Sequence, residues 1–215
     1  MNSNTIVYTT YLLLAISAAW CTWNFRRLRP EFRVLAVFVF LSAGVQAGAE
    51  LLARSGINNL FLSHVYAVLG FAALAGFYRL LLRPFIPGSL FAVLVAGFVI
   101  LAVITVLLWE PLHTFNSIPL TAEAVVFIIF ALSTFILTLN ENMNQHLRAM
   151  LRSLNWINSG IFLYFTGSLL LFYNGETIIH AIIGRWSVYT WLVYAVLTMI
   201  LHACLLIGLW LSPKT

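Results

Sequence analysis

Long apolar runs separated by short polar connections fill nearly all of this 215-residue chain. Each run is close to 20 residues or longer, which is the length that an α-helix needs to cross the hydrocarbon core of a bilayer. The pattern predicts an all-α membrane protein, a bundle of seven transmembrane helices in a single domain over residues 1–215. The predicted spans are Thr5–Trp23, Arg33–Arg54, Asn59–Leu82, Ser89–Trp109, Ile118–Asn140, Met150–Tyr173 and Trp186–Leu211.

Composition supports this prediction, since 62% of the residues are hydrophobic, 8% are charged and the mean hydropathy is +1.00. The basic residues also set an orientation, because all of them except Arg54 and Arg185 fall on the same side of the predicted bundle. Basic loops stay in the cytoplasm. We therefore expect a multi-pass protein of the cell (inner) membrane with its amino terminus outside and its carboxyl terminus in the cytoplasm.

A net charge of +5 also occurs in nucleic-acid-binding proteins. Here the arginines lie where membrane topology alone would place them, so no nucleic-acid partner is expected. The basic loops instead offer a surface for anionic lipid headgroups or for a cytoplasmic protein partner.

Two parts of the chain resemble each other. Leu14–Gly44 aligns without gaps on Phe130–Gly160 with several identities, and Val65–Leu69 and Val193–Leu197 both read VYAVL. Two three-helix units of the same orientation on either side of the fourth span would give this pattern. The sequence therefore predicts a three-plus-one-plus-three parallel repeat.

Three ionisable residues within the spans share one depth below the outer surface. They are Glu50, His64 and Glu123, each roughly 6–8 Å in by helical rise. Ionisable groups inside a bilayer are costly and mark candidate functional sites. The spacing of Gln46, Glu50 and Arg54 places them on one helix face, where Arg54 would neutralise Glu50. The predicted ligand-binding residues are Gln46, Glu50, Arg54, His64, Tyr66, Glu123, Tyr173, Trp186 and Tyr189.

Other small and polar residues are predicted to pack helices together. Gly44 and Gly48 form a GxxxG pair, which implies a close contact with the first span, the third span or a second copy of the chain. A polar stripe along the sixth span would hydrogen-bond to neighbouring helices. This stripe consists of Asn155, Asn158, Ser159 and Thr166. His202 stands alone on the seventh span and is interpreted as a packing residue.

Three functions are open. The favoured hypothesis is a receptor-like or sensory module that binds a small ligand on its outer side and couples to a cytoplasmic or membrane protein partner. A small-solute transporter with a three-plus-one-plus-three fold is the second. A metal-dependent intramembrane hydrolase is the third, with Glu50, His64 and Glu123 as a carboxylate-rich ligand set. No cofactor is expected, and binding is favoured over catalysis.

Two stretches carry a resemblance to known proteins. Asn58–Tyr66 reads NNLFLSHVY, Asn158–Gly167 reads NSGIFLYFTG, and a tryptophan opens the predicted last span. In these the chain resembles short bacterial seven-span proteins of uncharacterised function. More loosely, it is similar to the seven-span sensor segments that precede some bacterial histidine kinases. The resemblance implies a sensory role exercised through a partner protein.

Overall fold

The computed structural model describes the backbone of residues 3–83, 85–139, 145–174 and 185–213, and their side chains except at 3, 4, 7, 145–147 and 185–191. Within these ranges the fold is all-helical, with seven α-helices and one 3₁₀ turn at Phe25–Arg27. The α-helices are α1 (Ser3–Asn24), α2 (Pro30–Arg54), α3 (Phe61–Leu81), α4 (Gly88–Leu108), α5 (Ser117–Thr138), α6 (Gln145–Tyr173) and α7 (Arg185–Trp210).

Most of these helices are long and apolar enough to cross a membrane. Six such segments lie among the described residues: Pro30–Arg54, Phe61–Leu81, Gly88–Leu108, Ser117–Thr138, Arg148–Tyr173 and Leu192–Trp210. Many of their large apolar side chains point outward, as Val103, Ile104 and Leu107 do on α4. An outward apolar face suits lipid and not water. The prediction of an all-helical fold with several apolar helices of membrane-spanning length is confirmed, and this fold is consistent with a multi-pass membrane protein.

The helices form a ring in chain order. Each helix packs against the next one along the chain, and α7 returns to contact α1. A further contact between α3 and α5 leaves α4 at the outside of the ring. Orientation in a membrane and the three-plus-one-plus-three repeat stay predictions.

Because consecutive helices run in opposite directions, the bundle has two distinct ends. We call one the basic end, where α2, α4 and α6 begin; the described arginines there are Arg26, Arg27, Arg29, Arg33, Arg79, Arg83, Arg148 and Arg152. We call the opposite end the cavity end. It carries the α2–α3 and α4–α5 connections.

Several helices begin earlier than their apolar runs. Helix α2 starts at Pro30, because the fixed φ angle of proline suits the first position of a helix. Helix α6 starts at Gln145 and not at Met150. Hydrophobicity marks the part of a helix that lies in hydrocarbon, whereas polar turns at its ends continue into water or headgroups. Apolar patterning therefore underestimates helix length at the basic end.

One residue of the predicted polar stripe on α6 links three helices. Asn158 is buried, accepts a hydrogen bond from the Tyr78 hydroxyl on α3 (2.9 Å), and donates one to the Ala131 carbonyl on α5 (2.8 Å). The prediction of interhelical bonding is confirmed for this residue. We call Asn158, Tyr78 and Ala131 the Asn158 centre.

The rest of the stripe behaves differently. Asn155 and Thr166 are exposed, and half-buried Ser159 makes no side-chain hydrogen bond within the described part of the chain. The packing prediction is wrong for these residues, because the stripe covers about 100° of the helix surface and only its Asn158 edge faces α3 and α5. Ser153, which was not predicted, donates to the Gly208 carbonyl on α7 (2.6 Å).

Close helix contacts are made by other glycines than the predicted pair. Gly44 is exposed and a Cβ there would meet nothing within 4 Å, while at Gly48 it would lie in ordinary contact, 3.5 Å from Leu62. The prediction of a close GxxxG contact is therefore wrong within this chain. The tight interface joins α6 and α7, where a Cβ at Gly160 or at Gly208 would come within 2.5 Å of the opposite helix.

Candidate functional site

A cavity of about 260 Å³ lies inside the ring of helices. It extends from Asn59, Leu60 and Phe115, near the cavity end, toward the middle of the bundle. Helices α1, α2, α3, α5, α6 and α7 all contribute described lining residues, whereas α4 contributes none. We call it the central cavity. Its mixed polar and apolar lining is typical of a small-molecule site, and its volume lies just below the usual range of about 300–1,000 Å³.

Glu123 is the carboxyl group of this cavity. It lies two turns into α5, is 4% exposed, and makes no hydrogen bond to the described residues. The hydroxyls of Tyr66, Tyr164 and Tyr194 lie within electrostatic range of it. Buried carboxyls are normally paired or hydrogen-bonded, because removing a charge from water is costly. Glu123 is therefore held in the cavity without a partner among the described side chains.

Three tyrosines contribute hydroxyl groups to the cavity wall. The Tyr66 hydroxyl lies 2.8 Å from Ser42 Oγ on α2, and the hydroxyls of Tyr164 and Tyr194 lie 3.0 Å apart. The rings of Tyr164 and Tyr194 also pack against Phe172, with centroids 6.3 Å and 6.0 Å away. These contacts fix the positions of the tyrosine rings in the cavity wall.

His202 reaches the same cavity from α7. The residue is 2% exposed, lines the cavity, and its Nδ1 is buried with no hydrogen-bond partner among the described residues. The interpretation as a satisfied packing histidine is wrong. With Tyr194 and Thr198, which also line the cavity, it follows i, i+4, i+8 spacing along one face of α7. That spacing was the signal in the sequence that could have identified all three.

The cavity is bounded by aromatic packing on its inner side. Phe165 lines the cavity and packs against Phe127, with 5.2 Å between ring centroids. Phe127 in turn contacts Tyr78 and Phe130. This aromatic layer belongs to the core shared by α3, α5 and α6, so the cavity ends where the close-packed part of the bundle begins.

A chain of hydrogen bonds leads from the cavity to the surface of α2. Gln46, which lines the cavity, donates to the Tyr11 hydroxyl (3.1 Å), and that hydroxyl donates to Glu50 (3.3 Å). Arg54 Nε lies 2.8 Å from the same carboxylate, so the predicted pairing of Arg54 with Glu50 is confirmed. This pair is partly exposed, with side-chain exposures of 69% and 35%, and it lies outside the cavity lining.

His64 faces away from the central cavity. It lines a separate apolar groove between α3 and α4, and its Nε2 lies 3.2 Å from the Thr114 carbonyl. Glu50, His64 and Glu123 consequently occupy three different environments. The predicted convergence of these residues in one pocket is wrong.

No group of three or more His, Cys, Asp or Glu side chains in the described part of the chain could hold a metal ion. The metal-dependent hydrolase therefore has no ligand set there. Among the predicted aromatic contacts, Tyr66 lines the cavity, whereas Tyr173 is 72% exposed at the end of α6. The side chains of Trp186 and Tyr189 lie outside the described residues.

Comparison with known proteins found no relative of this chain. No protein-family model, curated protein or solved structure matches the chain. The central cavity brings together Gln46, Tyr66 and Glu123 from the predicted set, and it adds Ser42, Tyr164, Tyr194 and His202.

Proposed function

We propose that this chain is a receptor-like or sensory membrane module that binds a small ligand in the central cavity. The observation that carries the proposal is Glu123, a buried carboxyl that faces the cavity without a hydrogen bond to the described residues. Burying a carboxyl without a hydrogen bond or an opposite charge costs folding free energy. A ligand that supplies the missing hydrogen bonds or charge would bind more tightly because of them.

The proposed placement follows the arginines. We infer that α1 is a seventh span and that the basic end faces the cytoplasm of a bacterial cell, with the amino terminus outside. The 22-residue length of α1 and its packing between α2 and α7 support this inference. The cavity end would then face the exterior, so a ligand would enter from outside or from the outer leaflet.

Coupling to a partner would use α7. This helix lines the cavity with Tyr194, Thr198 and His202, and further along it packs closely on α6 at Gly208. The same stretch of α6 holds Ser153, which bonds to Gly208, and the exposed Arg152. A ligand that shifted α7 would therefore move a basic surface at the opposite end. That surface is the proposed contact for a cytoplasmic protein or for anionic lipids.

Solute transport is the second candidate. The observation in its favour is that α1–α3 and α5–α7 supply all the described helical residues of the cavity wall while α4 supplies none. This division suits the predicted three-plus-one-plus-three plan, in which the fourth helix only connects two units. Flux of a bound solute into proteoliposomes would favour transport, and binding without flux would favour the sensor.

Native mass spectrometry of protein released from native membranes tests the binding function. Ala49 lines the cavity, whereas Ala47 is exposed on the same helix, so the two positions give matched variants. We expect one small molecule per chain in the wild type and in Ala47→Phe, and its loss in Ala49→Phe because the ring fills the cavity. Wild-type protein without any small molecule, or equal retention in both variants, contradicts the proposal.

A further inference from the structure

We propose that the ligand of the central cavity is an organic monocation, an amine with a small aromatic or apolar body whose ammonium group pairs with Glu123. This inference rests on the proposed function and narrows it to one chemical class. It depends on the charges in the cavity wall, on the aromatic surfaces around Glu123 and on the cavity volume.

The charges in the wall favour a cation. Glu123 is the acidic residue of the described lining, and that lining contains no lysine or arginine. Arg54 is engaged with Glu50 outside the cavity. A buried carboxyl stays ionised only beside an opposite charge or several hydrogen-bond donors, and the described side chains form no such contact with Glu123. A ligand ammonium would supply both the charge and the donors.

His202 does not take this role. It is the other ionisable group that lines the cavity apart from the tyrosines, and no hydrogen bond joins it to Glu123 among the described residues. It lies two turns beyond Tyr194 on α7, about 12 Å along the helix axis. Among the described residues that line the cavity there is no Lys or Arg side chain to neutralise Glu123, and the imidazole of His202 lies at the deeper part of the cavity.

The aromatic side chains of the cavity wall also favour an organic cation as the ligand. Tyr66, Tyr164 and Tyr194 lie within electrostatic range of Glu123, and Phe172 packs against two of them. Aromatic ring faces attract ammonium groups, most strongly where water is excluded. Phenolic hydroxyls such as those of Tyr66 and Tyr164 can also accept hydrogen bonds from N–H donors. A protonated amine would thus meet favourable groups on several sides.

The volume limits the size of the ligand. The cavity measures about 260 Å³, whereas an apolar protein cavity of about 150 Å³ accommodates benzene. There is room for one aromatic ring with a short aminoalkyl chain. Large lipids and sugars of several rings do not fit within this space.

Three ligands of matched shape test the assignment on the full chain in detergent or nanodiscs at neutral pH: 2-phenylethylamine, its neutral counterpart 2-phenylethanol, and the anion 3-phenylpropanoate. We expect the dissociation constant of the amine to be at least about tenfold lower than that of the alcohol, with the anion weakest. Glu123→Gln should abolish this preference. Glu50→Gln, which changes a carboxylate outside the cavity, should preserve it.

Failure of the ligand class is distinguishable from failure of the binding function. Equal binding of amine and alcohol to the wild type, or no binding of the amine at all, overturns the cation assignment whatever the variants do. Loss of alcohol binding in Ala49→Phe would still show a ligand site in the cavity. The binding function itself is tested separately, by whether native mass spectrometry detects one small molecule per wild-type chain.

Discussion

Two buried polar side chains in this bundle, those of Asn158 and Glu123, differ in their hydrogen bonding. Asn158 on α6 is bonded on both sides, to Tyr78 on α3 and to Ala131 on α5. Glu123 on α5 is equally buried, yet its carboxyl faces the central cavity without a hydrogen bond to the described residues. The Asn158 centre belongs to a close-packed region that continues into the α6–α7 interface, whereas Glu123 belongs to a region with open space.

The difference separates polar groups that hold the fold together from polar groups that are available to a ligand. In hydrocarbon an unpaired polar group is expensive, so pairing within the protein is the expected state. A group that remains unpaired next to a cavity is better explained by a ligand than by folding. Each of the following substitutions tests one side of this comparison.

The largest effect is expected at the tight α6–α7 interface. A Cβ at Gly208 would lie 2.5 Å from the Ile157 side chain and 2.9 Å from the Ser153 carbonyl oxygen, and a backbone atom cannot move aside cheaply. Gly208→Ala should lower the free energy of unfolding by about 3 kcal/mol. Gly44→Ala is the control and should cost nothing, since a Cβ there meets nothing within 4 Å. Thermal and denaturant unfolding in detergent measure both, and equal stabilities would contradict the close packing.

The next effect is expected at the Asn158 centre. Asn158→Leu removes two interhelical hydrogen bonds and leaves the buried Tyr78 hydroxyl without its acceptor, so stability should fall by about 2 kcal/mol. Exposed Asn155 on the same helix is the matched control, and Asn155→Leu should have no such effect. A double-mutant cycle with Tyr78→Phe should give a coupling of about 0.6–2 kcal/mol. A coupling energy near zero would contradict a structural role for the Asn158 centre.

A smaller loss is expected for a single bond in the same region. The Ser153 hydroxyl donates to the Gly208 carbonyl over 2.6 Å in a buried contact. Ser153→Ala should destabilise the protein by about 1 kcal/mol, which is the usual worth of one interhelical hydrogen bond in a membrane. Unfolding measurements on this variant and on Ser55→Ala, an exposed serine at the end of α2, provide the comparison.

The smallest change in stability is expected at the Glu50–Arg54 pair, which lies outside both the Asn158 centre and the central cavity. Glu50 and Arg54 form a partly exposed pair, and such pairs are screened by water and salt. Glu50→Gln should leave both the unfolding transition and ligand binding unchanged, at low and at high salt. A marked loss of binding in this variant would move the ligand site from the central cavity to the surface of α2.

The sequence predicted the helices well and their rotations poorly. Apolar runs locate each helix to within a few residues, and i, i+4 spacing predicted the Arg54–Glu50 pair because both residues lie on one helix. Depth in the membrane also follows from counting residues. The direction in which a side chain points depends on how the helix is rotated within the bundle, and depth carries no information about that rotation.

His64 and Tyr66 illustrate this limit. They differ by two positions on α3, which places them about 200° apart around the helix. Tyr66 therefore lines the central cavity, while His64 lines the groove against α4. Sharing a depth with Glu123 did not bring His64 to the same site. Tyr194, Thr198 and His202 show the converse, because the spacing that revealed one polar face on α2 also marks the cavity face of α7.

The most direct test of the central claim is the free energy of unfolding of Glu123→Leu, measured without added ligand beside that of Asn158→Leu. If the carboxyl has no structural partner, replacing it with an apolar side chain should raise stability by about 1 kcal/mol, while the bound small molecule is lost. A loss of stability as large as that of Asn158→Leu would show that Glu123 holds the fold together, and would contradict its assignment to a ligand site.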